Sequence, residues 1–109
     1  IISNSELQET NGDKAGISSR KSEEEKVFTC HSLSLKKGDQ IYMTSDGYAD
    51  QFGGPKCKKF MTRRLKETLL ENQELSMTEQ GSGLKKALDD WLGTDNNQID
   101  DIVVFGIKL

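Results

Sequence analysis

Two cysteines, one proline, one tryptophan and one histidine are all that the 109 residues hold of those types. Cys30 and Cys57 have neither a second cysteine nor a histidine at the spacing of a zinc site, which excludes a disulfide scaffold and a structural zinc and suggests reduced thiols in a cytoplasmic protein. No stretch approaches the roughly 18 apolar residues of a membrane span. The opening Ile1-Ile2-Ser3-Asn4 also lacks the basic and apolar regions of a signal peptide. A balance of 15 basic against 18 acidic residues leaves a formal charge of -3, and so no electrostatic reason to expect nucleic acid or an anionic membrane as partner. Hydrophobic residues are scarce at 33% and charged ones plentiful at 30%, so part of the chain is expected to pack on something outside it. The absence of an initiator methionine and the start on two β-branched residues suggest a chain that enters partway along a strand.

What is present divides into short segments. Residues 1–26 carry turn chemistry at Asn4-Ser5 and Asn11-Gly12-Asp13, with room for a small hairpin between Ile1-Ile2 and residues 7–10, and residues 18–26 are polar and charged without an apolar period. Residues 27–35, Val-Phe-Thr-Cys-His-Ser-Leu-Ser-Leu, have strand composition. Lys36-Lys37-Gly38-Asp39 makes a tight turn into a second strand, residues 40–44, and a hairpin between the two is the economical connection. Gln51-Phe52-Gly53-Gly54-Pro55 reads as a loop. Phe60, Met61, Leu65, Leu69 and Leu70 recur at helical spacing. Ser76 and Glu79 have the capping-box spacing of a second helix, with Leu84, Leu88, Trp91 and Leu92 as its buried stripe and Gly93 at its end. Residues 102–109 are apolar at adjacent and alternate positions, the mark of a strand covered on both faces. Antiparallel strands with two consecutive helices before the last strand indicate an α+β domain with helices layered on a sheet.

Two carboxylate groups stand out. Ser45-Asp46-Gly47-Tyr48-Ala49-Asp50 ends one expected strand and Asp100-Asp101 begins another, and adjacent antiparallel strands would set that end beside that start. Converging carboxylates repel unless a hard divalent cation neutralises them, and magnesium and manganese prefer such oxygen ligands. Gly47 would let the backbone turn sharply and leave space for a metal and its waters. Asp-Gly is equally a common turn pair, and Asp-Asp before a strand is commonly a solvated edge. From the residues alone, both readings stand.

The run from Leu35 through Lys36-Lys37-Gly38-Asp39-Gln40-Ile41-Tyr42-Met43-Thr44-Ser45-Asp46-Gly47-Tyr48-Ala49-Asp50-Gln51-Phe52-Gly53-Gly54 closely resembles the bacterial SpoIIE-like branch of the PPM, or type 2C, protein phosphatases. Trp91-Leu92-Gly93 and Gln98-Ile99-Asp100-Asp101-Ile102-Val103-Val104-Phe105-Gly106-Ile107 resemble that family's closing motifs. The resemblance implies a β-sandwich flanked by helices, with a centre of two Mn2+ or Mg2+ ions at one end. It implies hydrolysis of phosphoserine or phosphothreonine in a regulatory protein without a covalent enzyme intermediate. Asp46 then matches the metal-binding aspartate of the Ser-Asp-Gly motif, with Gly47 beside it. Asp100 matches the late aspartate sharing that metal, Asp101 lies behind it, and Asp50 matches an acidic position that holds metal-bound water or a weaker third ion. The family also needs an earlier Asp-Gly pair bridging both metals. Asp46-Gly47 is the chain's only Asp-Gly pair, so residues 1–109 are expected to be the C-terminal portion of a single phosphatase domain and inactive alone.

The same resemblance implies a phosphoprotein substrate and an upstream sensor in a parent chain that is cytoplasmic or membrane-attached. The alternative is a non-catalytic binding or dimerisation module that pairs with a second copy through exposed sheet edges. His31, alone in a strand with no nearby carboxylate, reads as a structural or surface histidine. Cys57 has cationic neighbours, but nothing around it resembles a cysteine-phosphatase loop. Lys56, Lys58, Lys59, Arg63 and Arg64 form a basic cluster that suits either an acidic or phosphorylated partner or a solvated helix face.

Overall fold

The computed structural model describes residues 1–13 and 27–109; the polar stretch expected over 18–26 lies outside them. The opening hairpin forms as expected. Strands β1 (Ile2–Ser3) and β2 (Glu6–Leu7) pair antiparallel. Asn4 and Ser5 between them have φ of 50° and 62°, the left-handed pair that a two-residue hairpin turn requires.

The turn at Lys36 to Asp39 is also present. The Asp39 N–H donates to the Lys36 carbonyl at 3.1 Å, the Lys36 N–H donates to Asp39 Oδ2 at 2.9 Å, and Gly38 has φ 94°. That donated N–H, with the Ser3 hydroxyl, holds the Asp39 carboxyl below its ordinary pKa. Strand β3 (Gln40–Thr44) follows.

The expected strand over 27–35 is absent. Those residues have no regular structure and are exposed, Val27 at 89%. Strand composition needs a partner edge, and β3 spends its edges elsewhere. One takes the last strand, β6 (Val104–Lys108), in register from Gln40↔Lys108 to Thr44↔Val104, and the other meets β1 at Ile2↔Gln40. The larger sheet therefore runs β2-β1-β3-β6. The short helix α1 (Gly47–Asp50) precedes residues 51–55, read as a loop, and that stretch contains strand β4 (Phe52–Gly53), which forms a small hairpin with β5 (Lys58–Lys59).

Helix α2 (Thr62–Glu71) begins later than the apolar period suggests, because Met61 stands at φ 76° with its N–H donated to the Ala49 carbonyl. Helix α3 (Met77–Leu92) starts on the expected capping box and ends at Gly93. Ser76 Oγ accepts from the Glu79 N–H at 3.3 Å, and Glu79 Oε2 accepts from the Ser76 N–H at 3.0 Å, satisfying two of the donors that a helix start leaves open.

Both helices lie on one face of the sheet. Leu65, Leu69 and Leu84 are buried with Ile2, Tyr48 and Phe60, and Leu88, Trp91, Ile102 and Val104 pack around them. Tyr42 and Gly106 belong to the same face, with the Met77 sulfur against Gly106. A polar lock ties α3 to β3: buried Gln80 donates to Gln40 Oε1 at 2.9 Å, and the Tyr42 hydroxyl lies 2.5 Å from Gln80 Oε1. The opposite face is open, contrary to the doubly covered strand expected over 102–109. Met43, Val103, Phe105, Ile107 and Leu109 are all exposed there, because period-2 alternation sends these side chains away from the helices.

Candidate functional site

The pairing of β3 with β6 brings the two carboxylate segments together as the antiparallel argument requires. Beyond Thr44↔Val104, the Ser45 N–H donates to the Val103 carbonyl at 2.9 Å. Ser45 Oγ accepts from the Val103 N–H at 3.0 Å and donates to the Asp101 carbonyl at 3.1 Å. The chain leaving β3 at Asp46 thus runs beside the chain arriving at β6 through Asp100-Asp101.

Gly47 allows that approach. A Cβ at this position would collide with the Asp101 carbonyl oxygen, so the space that the sequence reading assigns to a metal and its waters is taken, on that side, by the Asp101 backbone.

Asp46 stands at the cap position of α1, where its carbonyl accepts from the Asp50 N–H at 2.9 Å, but its side chain makes no capping hydrogen bond. It is exposed, as are Asp100 and Asp101. Asp100 Oδ1 accepts from the Asp101 N–H at 2.7 Å. Asp50 is ion-paired with Lys59 at 2.9 Å, both half-exposed. Carboxylate oxygens are the donors that magnesium or manganese takes, so Asp46 and Asp100 suit such an ion in kind. They do not suffice in number: among the described residues, no three His, Cys, Asp or Glu side chains gather where they could hold a metal.

Sequence reading missed the supports of this site. Tyr48, buried at the start of α1, donates its hydroxyl to the Leu84 carbonyl at 2.7 Å. Burial, with the Asp89 carboxylate, pushes its phenol up to about 12. Gln51 is fully buried and binds the residues leading to Asp100. A glutamine beside glycines in an apparent loop carries no local signal of burial. An aromatic ladder stands behind the loop, with Phe60 edge-on to Tyr48 at 5.2 Å and to Trp91 at 5.5 Å between ring centroids.

The basic cluster divides. Lys59 pairs with Asp50, Arg63 with Glu67 at 2.8 Å, and the Arg64 guanidinium lies 4.3 Å above the Trp91 ring, while Lys56 and Lys58 are exposed on the β4–β5 hairpin. Cys30 and Cys57 are free and exposed, and His31 is exposed. No helix among the described residues is long and apolar enough to cross a membrane.

The family model of Stage II sporulation protein E, SpoIIE, matches residues 13–109. Among solved structures, the SiaA-PP2C domain of Pseudomonas aeruginosa is similar at 27% identity with a TM-score of 0.66. That match covers 71% of this chain and 31% of the other, so the similarity spans about a third of its relative's length. No curated protein sequence matches.

Proposed function

The chain belongs to the SpoIIE family, and from that premise we propose that it supplies part of the active site of a metal-dependent serine/threonine protein phosphatase. Membership of a PPM-type family supports the reaction class, and one observation carries the assignment to residues. The β3–β6 register, closed by the Ser45 hydrogen bonds, sets Asp46 beside Asp100-Asp101.

In this reading Asp46 and Asp100 hold one Mn2+ or Mg2+ ion, with Asp50 and Asp101 flanking them. Such an ion supplies Lewis acidity toward a phosphoryl oxygen and polarises water for hydrolysis. The chain's own residues set the geometry. Gly47 lets the two backbones approach, Ser45 joins them, and Lys59 holds Asp50 to one side. The further ligands come from outside the described residues, in a parent protein with its own sensor segments and a phosphoserine or phosphothreonine protein as substrate.

The experiment is manganese-dependent hydrolysis of a phosphoserine peptide, measured on this chain and on the gene product extended upstream through the next Asp-Gly pair. Activity in the extended protein, lost on Asp46→Asn, is the expected result. Activity in neither overturns the reading.

A second reading has its own observation. The open apolar face of β3 and β6, with Phe105 51% and Met43 62% exposed, suits a non-catalytic module that pairs with a second copy of the chain. A size that rises with concentration, without manganese uptake, would favour it.

A further inference from the structure

Residues 97–101 carry the late aspartates, yet they have no regular structure and are largely exposed. Something other than their own backbone pattern must place them. Three contacts reach them from the Asp46 side of the site. Gln51 Nε2 donates to the Asn97 carbonyl at 2.8 Å, Gln51 Oε1 accepts from the Ile99 N–H at 3.4 Å, and Ser45 Oγ donates to the Asp101 carbonyl.

Gln51 and Ser45 stand at the two ends of the turn that holds Asp46 and Asp50, and they grip the opposing segment on either side of Asp100. Gln51 is itself immobilised. Its side chain is fully buried, its Nε2 also donates to the Phe52 carbonyl at 3.1 Å, and its own carbonyl accepts from Trp91 Nε1 at 3.1 Å and from the Phe60 N–H at 2.9 Å. A buried amide that uses both its donor and its acceptor on neighbouring backbone is a stiff link, since losing it strands a carbonyl and an N–H.

We propose that Gln51 and Ser45 are positioning residues: a two-point clamp that holds the Asp46–Asp50 turn and the Asp100-Asp101 segment at one spacing, so that their carboxylates face a common ligand. The inference deepens the phosphatase reading and rests on it for the ligand's identity, but the clamp itself is tested without metal. Supporting groups of this kind hold ligating carboxylates in place, and their loss weakens metal binding by about tenfold or more.

The test compares Gln51→Met, which keeps the side chain's length and removes its polar atoms, with Leu69→Ala, which opens the helix–sheet core at α2. Ser45→Ala is the second variant should Gln51→Met fail to fold, read at Ile99 because the Val103 N–H is bonded to Ser45 itself. In the metal-free chain, amide exchange at Asp101 and Val103, neither bonded to Gln51, should speed by about tenfold in Gln51→Met beyond any change that Leu69→Ala produces. Mn2+ titration should then show about tenfold weaker uptake in Gln51→Met and in Ser45→Ala, and unchanged uptake in Leu69→Ala.

Exchange at Asp101 and Val103 that follows global stability equally in Gln51→Met and Leu69→Ala overturns the clamp and makes Gln51 a packing residue. If the unmodified chain takes up no Mn2+, one-ion binding by this chain fails, and the exchange comparison still decides the clamp.

Discussion

The two faces of the β3–β6 pair contain the same class of residue and meet opposite surroundings. Toward the helices, Tyr42, Val104 and Gly106 lie under α2 and α3, beside Leu84 and a hydrogen-bonded pair of buried glutamines. Away from them, Met43 opposes Phe105 and Ile41 opposes Ile107, and Val103 and Leu109 extend the row, most of it in solvent. Period-2 alternation makes both faces at once, so the pattern that fits a strand to a core on one side demands a second layer on the other. The contrast teaches that apolar content along a strand reports that both faces are meant to be covered, and not what covers them.

The comparison is broken most strongly from the covered side. Leu65→Ala should cost about 2–5 kcal/mol of stability, through lost transfer energy and the cavity left behind, read as a lowered urea midpoint at unchanged slope. Gly47→Ala acts where the covered pair ends. Its Cβ would press on the Asp101 backbone, which should cost about 1–3 kcal/mol and abolish whatever manganese uptake the chain shows.

Ser76→Ala removes the cap that starts the covering helix and should cost about 1 kcal/mol, visible as earlier thermal loss of helical circular dichroism. On the open face, Phe105→Ser should change stability by no more than about 0.5 kcal/mol while reducing binding of an apolar dye. A cost like that of Leu65→Ala would mean that the face is covered in solution.

The smallest expected effect is a pH slope. Hydrogen bonds from the Ser76 hydroxyl and N–H hold the Glu79 carboxyl below its ordinary value, and Asp39 is lowered by the Lys36 N–H. A depressed carboxylate pKa contributes stability above its unfolded value, about 4, and that contribution is lost as pH falls through the folded value. Glu79→Gln should therefore flatten the acid limb of the stability profile by lowering the neutral plateau toward the acid value.

Local chemistry was legible wherever a short-range rule acts alone. Ser76 with Glu79 marked the start of α3, Asn4-Ser5 the first turn, and Lys36 to Asp39 the second. The meeting of Asp46 with Asp100-Asp101 was legible too, because an antiparallel pair sets one strand's end beside the other's start. Residues 27–35 misled, since a run from Val27 to Leu35 that favours extended backbone cannot announce that β3's neighbouring edge meets Ile2. Gln51 and Tyr48 were invisible for a related reason: their importance lies in carbonyls supplied from distant positions, at Asn97 and Leu84.

The sequence by itself determined the family, the start of α3, the turns and the meeting of the two carboxylate segments, because each rests on residues close in the chain, on a motif read in order or on the antiparallel pairing of two strands. Only the tertiary structure decided which strand lies beside β3, which sheet face the helices cover, and that a buried glutamine and a serine join the two aspartate segments. Those outcomes depend on which distant backbone groups compete for the same hydrogen bonds and the same apolar surface, and no local pattern encodes the result of that competition.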